Sequence, residues 1–89
     1  MAAAWFALGE VRHRLKDEPK SLEAYQKAAA LDGSWAGVHM GLADALVRAG
    51  PEQLQAAINE YDLVQQLSLN ENEQARAKKW ATTLRKQLK

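Results

Sequence analysis

The sequence predicts an all-α domain of five helices joined as antiparallel hairpins, and three observations carry that expectation. Apolar residues recur at three- and four-residue intervals along most of the chain, the spacing of one helix face. Turn and cap residues interrupt the pattern at intervals: Asp17-Glu18-Pro19, Asp32-Gly33-Ser34, Gly50-Pro51 and Asn70. The composition favours helix, with alanine and leucine common, β-branched residues scarce, and only two prolines and five glycines among 89 residues.

The first helix runs from Ala2 to Leu15, with Trp5, Leu8, Val11 and Leu15 as its stripe. Asp17 or Glu18 accepts free backbone N–H groups at the start of the second, where Pro19 is tolerated in the first turn. The second helix reaches Leu31 with Leu22, Tyr25, Ala28 and Ala29 inward, and Gly33 is expected to close it in the left-handed conformation. Ser34 is the expected cap of the third helix, which turns Val38, Leu42, Ala45 and Leu46 to the core. The fourth follows Gly50-Pro51 with Leu54, Ala57, Ile58, Tyr61, Val64 and Leu67. Asn70, with Glu73 as capping-box partner, opens the fifth, expected to bury Ala77, Trp80, Ala81, Leu84 and Leu88. Turns of about five residues or fewer force neighbouring helices to pack antiparallel.

The length fits one thin-cored domain. With 47% hydrophobic and 26% charged residues the profile is that of an ordinary globular chain and argues against disorder. The absence of cysteine excludes disulfides and thiolate metal sites and leaves the redox compartment open. No apolar run approaches the roughly 20 residues of a membrane span. The stretch from Met1 to Trp5 lacks the basic segment and cleavage pattern of a signal peptide. The cytoplasm is the default expectation, and the compartment is otherwise unknown. Charge is distributed unevenly. Residues 1–70 carry six basic and nine acidic side chains, a net of −3, and residues 71–89 six basic and two acidic, a net of +4. The last helix is a basic stripe on a mildly acidic body.

An internal repeat organises the chain. A shift of 34 residues aligns Phe6-Ala7-Leu8-Gly9-Glu10 with Met40-Gly41-Leu42-Ala43-Asp44, and Arg14 with Arg48. Past the turn a shift of 36 places Ser21-Leu22 over Ala57-Ile58, Tyr25 over Tyr61, Ala28 over Val64 and Leu31 over Leu67. The two extra residues fall in the turn between Gly50 and Gln55, where insertion costs little. Small residues at Gly9 and Ala43 permit close helix approach, and the two tyrosines are expected to wedge between hairpins.

These residues resemble the tetratricopeptide repeat family, most clearly in Trp5-x-x-Leu8-Gly9, then Ser21-Leu22-x-x-Tyr25-x-x-Ala28, then Leu31. The resemblance covers residues 3–33 as a first repeat and 34–69 as a second, with 70–89 as an end helix. There are departures from the pattern: His39 stands where Trp5 stands in the first unit, Gly33 replaces the usual terminal proline, and Val64 replaces the small alanine. The resemblance implies hairpins stacked as a short right-handed α-solenoid. It also implies a protein–protein interaction module, with a concave groove that binds a peptide or protein partner. Its groove residues here would be Phe6, Glu10, His13 and Arg14, then Met40, Asp44, Val47 and Arg48, then Lys78, Thr82, Arg85 and Lys86 from the end helix. Phe6 and Met40 would anchor and the charges set register. The subclass that grips a C-terminal carboxylate with lysines and asparagines is not expected, because Glu10 and Asp44 stand in matching places and repel a carboxylate.

Other chemistry finds little footing. Glu10, His13 and Asp17 share helical spacing and mimic a base with an orienting carboxylate, but groove-rim residues are the simpler reading. No His-x-x-x-His or Glu-x-x-His pair supports a metal, no nucleophile elbow is present, and Gly33, Gly37 and Gly41 are too scattered for a phosphate loop. No enzyme, cofactor or metal is expected. Arg76, Lys78, Lys79, Arg85, Lys86 and Lys89 invite an anionic partner, yet a solvated, dipole-compensating end helix explains them, and nucleic acid is not the expected ligand. The alternative function is a self-association element working through its ends. The uncapped opening on Trp5, Phe6 and Leu8 reads as cut from a longer array or as the apolar face of a homodimer.

Overall fold

A computed structural model describes residues 1–88. Five helices form in the predicted order: α1 (Ala2–Arg14), α2 (Glu18–Leu31), α3 (Ala36–Ala49), α4 (Leu54–Leu67) and α5 (Glu71–Gln87), with a 3-10 turn at Pro51–Gln53 leading into α4. No strand occurs among the described residues. Each helix packs on its neighbour in the chain, α1 on α2, α2 on α3, α3 on α4 and α4 on α5, and α1 also touches α3. None of the described helices is long and apolar enough to cross a membrane.

The helix ends follow backbone accounting. At the start of α2, Asp17 accepts the Lys20 N–H (3.3 Å), with Pro19 in the first turn. At the start of α5, Asn70 Oδ1 accepts the Glu73 N–H (3.0 Å). The reciprocal arm of the expected capping box is missing, because the Asn70 N–H donates to Ser68 Oγ (3.1 Å). The left-handed closure expected at Gly33 lies elsewhere. Lys16 adopts φ 63°, and the bonds Lys16 N–H to His13 O and Asp17 N–H to Arg12 O (both 2.9 Å) make a Schellman turn after α1. Past α2 the chain leaves through an extended Asp32 (φ −145°). The Asp32 carboxylate takes both the Ser34 Oγ–H (2.7 Å) and the Ser34 N–H (3.1 Å), which hold its pKa below the ordinary range. Ser34 therefore donates backwards and does not cap α3, whose N-cap position is Trp35 with no side-chain bond. Gly50 (φ 128°) turns the chain into Pro51, a conformation that requires glycine.

The core lies between α2, α3 and α4. Val38, Leu42, Ala45 and Leu46 of α3 are buried as predicted, and so are Leu54, Ala57, Ile58, Tyr61 and Val64 of α4. Sandwiched between two partners, α2 buries Ser21 and Ala24 as well as Tyr25 and Ala28. Two predicted stripes are rotated. In α1 only Gly9 is fully buried, Phe6 packs inward, and Val11 (46% exposed) and Leu15 (73%) face out. The helix is apolar on several sides, so periodicity alone did not decide which stripe turns in. In α5 Ala77, Ala81 and Leu84 are buried, but Trp80 is 44% exposed and Leu88 is exposed too. A helix packed on one neighbour buries one narrow stripe, and Trp80 lies about 100° round from Ala81.

One aromatic ring locks three helices together. A Cβ at Gly9 would lie 2.9 Å from Tyr25 Cε1, and one at Gly41 would lie 2.7 Å from the same atom. The ring therefore sits in a slot between the α1 and α3 backbones. Ser21 Oγ donates to the Gly9 carbonyl beside it (2.9 Å), and the Phe6 ring packs against Tyr25 and Trp35 at 5.7 and 4.9 Å. His39, which stands where Trp5 stands in the first repeat unit, is buried. Its Nε2 faces the Gly33 carbonyl (2.8 Å) and its Nδ1 faces Glu60 (3.0 Å), which ties the α2–α3 turn to α4.

Candidate functional site

A cleft of about 340 Å3 opens where α1, α3 and the start of α5 meet. Its floor is apolar: half-buried Phe6, the Tyr25 ring and Met40, which is only 7% exposed. The expectation of an open Met40 anchor is thus corrected, since Met40 belongs to the core and only its edge reaches the cleft. Gly37 and Gly41 also line it. Its rim carries Glu10, His13, Asp44, Arg48, Glu73 and Arg76. A second cleft, about 260 Å3, lies between α3 and α5 and is lined by Asp44, Val47, Arg48, Tyr61, Arg76 and Trp80. Asp44, Arg48 and Arg76 border both, so the two form one groove across the three helices.

The structure gathers Phe6, Glu10, His13, Met40, Asp44 and Arg48 in the first cleft and Val47 in the second. Arg14 is exposed and lines neither. The α5 residues expected in the groove lie elsewhere. Lys78 borders a separate hollow with Gln65 of α4, Arg85 pairs with Asp62 of α4, and Thr82 and Lys86 are exposed outside both clefts. Glu73, Arg76 and Trp80 take their place. Assigning Trp80 to the core rotated the helix; the stripe Ala77, Ala81, Leu84 alone would have put Arg76 and Trp80 on the groove flank. The cations of α5 are spread round the helix, and Lys89 lies outside the described residues.

Polar bonds fix most of the rim. Glu18 bridges two helices, accepting from His13 Nδ1 (2.8 Å) and from Arg48 Nε. Burial opposes the charge on Glu18, but Arg48 and His13 outweigh it and lower its pKa below the ordinary carboxylate value. His13 thus turns to Glu18 and not to Asp17, which caps α2. Tyr61 donates to Asp44, and burial followed by that carboxylate raises the Tyr61 pKa. Tyr25 is pushed up to about 12 by burial and then by the neighbouring Glu10 carboxylate. Among the described residues no three His, Asp or Glu side chains converge on a metal-sized site. Arg76 has no ion-pair or hydrogen-bond partner among the described residues.

Comparison of the chain with known family models and with curated proteins returns no match.

Proposed function

We propose that this chain is a protein–protein interaction module of tetratricopeptide type. In this reading two helical hairpins and an end helix stack as a short right-handed solenoid, and a peptide or extended protein segment binds in the groove across α1, α3 and α5. The observation that carries the reading is the groove itself, with an apolar floor of Phe6, Met40 and Tyr25 beneath a charged rim. Equivalent positions of the internal repeat support it. Tyr25 and Tyr61 are both buried next to a carboxylate, Glu10 and Asp44 respectively, and Ser21/Ala57 and Ala28/Val64 are buried pairs. No catalytic step forms part of the reading.

An immobilised peptide library tests it. Retained peptides should be lost on Glu10→Lys, which reverses a rim charge, while far-UV circular dichroism stays that of the parent. A groove that retains no peptide refutes the proposal.

A second reading, self-association, is favoured by one observation: the outer face of α1 exposes Ala4, Ala7, Val11 and Leu15 in a row. Sedimentation velocity over a range of concentrations should then show a dimer that Leu15→Asp dissociates. A species that is monomeric throughout dismisses this reading.

A further inference from the structure

The groove has two chemically different ends. The first cleft holds the acids Glu10 of α1 and Glu73 of α5, the second holds the exposed indole of Trp80, and Arg76 borders both. Of the three charged side chains that border both clefts, two are already engaged. Asp44 accepts from Tyr61, and Arg48 is held by Glu18. Arg76 alone has no partner among the described residues, and Trp80, one helical turn further along α5, is the only large hydrophobic of that cleft left open to solvent. An unpaired guanidinium presents a planar fork of donors that matches a carboxylate with two parallel bonds. An exposed indole beside Val47 offers the adjoining apolar contact.

Resting on the groove reading above, we propose that the α3–α5 end is an acidic-peptide subsite: Arg76 takes an Asp or Glu side chain, and Trp80 with Val47 takes a neighbouring apolar side chain of the same peptide. Charge complementarity gives the occupant its direction. The second cleft carries two cations, Arg48 and Arg76, against the single carboxylate of Asp44, so the acidic part of the peptide lies over that cleft. Glu10 and Glu73 at the other end exclude further acids and receive a basic or neutral residue. Glu10 lies outside this second cleft, and Asp44, which borders it, has its carboxylate engaged by the Tyr61 hydroxyl.

Fluorescence anisotropy with three labelled short peptides tests the assignment. One carries Asp and Glu flanking a leucine, one has the acids replaced by their amides, and one has them replaced by lysine. The acidic peptide should bind roughly tenfold tighter than the amide peptide, as expected of one charge-assisted pair, and tighten at low salt. Arg76→Gln should erase the difference between acidic and amide peptides, and Trp80→Ser should weaken both. Both side chains are exposed, so the variants should keep the parent's circular dichroism and melting temperature, which are measured alongside. Equal binding of all three peptides, or a preference unaltered by Arg76→Gln, overturns the subsite while leaving the groove reading standing. If no peptide binds, the groove reading falls and the subsite with it. Binding of a single-stranded oligonucleotide as tightly as the acidic peptide overturns the peptide assignment in favour of phosphate recognition.

Discussion

Substituting Gly41 by alanine should reverse its effect when Tyr25 is also changed. In a helix interior alanine is favoured over glycine by about 1 kcal/mol. At Gly41, however, the new Cβ would sit 2.7 Å from Tyr25 Cε1 and 3.1 Å from Cδ1 and Cζ. The ring has little room to retreat, because the Gly9 backbone faces its other side so closely that a Cβ there would lie 2.9 Å away, and the side chain is 2% exposed. Overpacking of that kind costs about 1–3 kcal/mol, so the single variant should lose about 1 kcal/mol net. With the ring removed by Tyr25→Ala the clash disappears and the propensity gain of about 1 kcal/mol emerges. The coupling between the two positions is then about 2 kcal/mol. Tyr25→Ala alone should cost about 3–5 kcal/mol, so all four proteins are compared by urea unfolding in a common osmolyte buffer. A stabilising Gly41→Ala in the parent, or an equal effect in both backgrounds, would show that the ring is not confined by the two backbones.

Three further outcomes follow from the same contacts. Tyr25 has its pKa raised in the folded chain to about 12, so its stabilising share is complete below the unfolded value near 10 and is lost as pH rises through the folded value; Tyr25→Phe should flatten this alkaline limb, and an unchanged limb contradicts the assignment. Glu18 has its pKa lowered, so its share is complete above the ordinary carboxylate range and disappears as pH falls through the folded value; Glu18→Gln should remove that acid-side slope from urea midpoints taken across pH, and a parallel pH profile counts against the bridge. Lys16 occupies the left-handed region at a cost of about 1 kcal/mol, so Lys16→Gly should raise the melting temperature by about 4–8 °C, and a fall would mean the lysine side chain contributes more than its backbone costs.

Helix number and extent were legible because the chain's strongest stops are local. Asp17, Gly50-Pro51 and Asn70 each act within a few residues, and all three lie at the predicted boundaries. Which side of a terminal helix faces inward was not legible, because that depends on a single distant neighbour. In α3 the stripe Val38, Leu42, Ala45 and Leu46 and in α4 the stripe from Leu54 to Val64 were read correctly, since α3 has partners on both sides and α4 a well-separated apolar stripe, whereas Met40, expected open in the groove, lies in the core. In α1 and α5, Val11 and Trp80 fit a periodic stripe as well as the true residues do, yet both are exposed. The candidate site inherits that division. Six of the eight α1 and α3 residues expected in the groove line its first cleft, and Val47 lines the second. Those from α5 sit on the wrong flank, and Arg76 replaces them. Gly41 carried no special signal, because only the position of the Tyr25 ring shows why a side chain is excluded there.

The sparse burial of α1 has a consequence for affinity. One wall of the first cleft is a helix with a single fully buried residue, no N-terminal side-chain cap and one principal neighbour. Such an element detaches at a lower free energy than the interior of the fold, so the cleft exists only in molecules with α1 docked. Any ligand that touches both walls binds that fraction alone, and its measured dissociation constant is the intrinsic one divided by that fraction. Occupancy would in turn fasten α1 to α3, so changes on the outer face of α1, far from any ligand atom, could tighten or loosen binding by altering how often the wall is present.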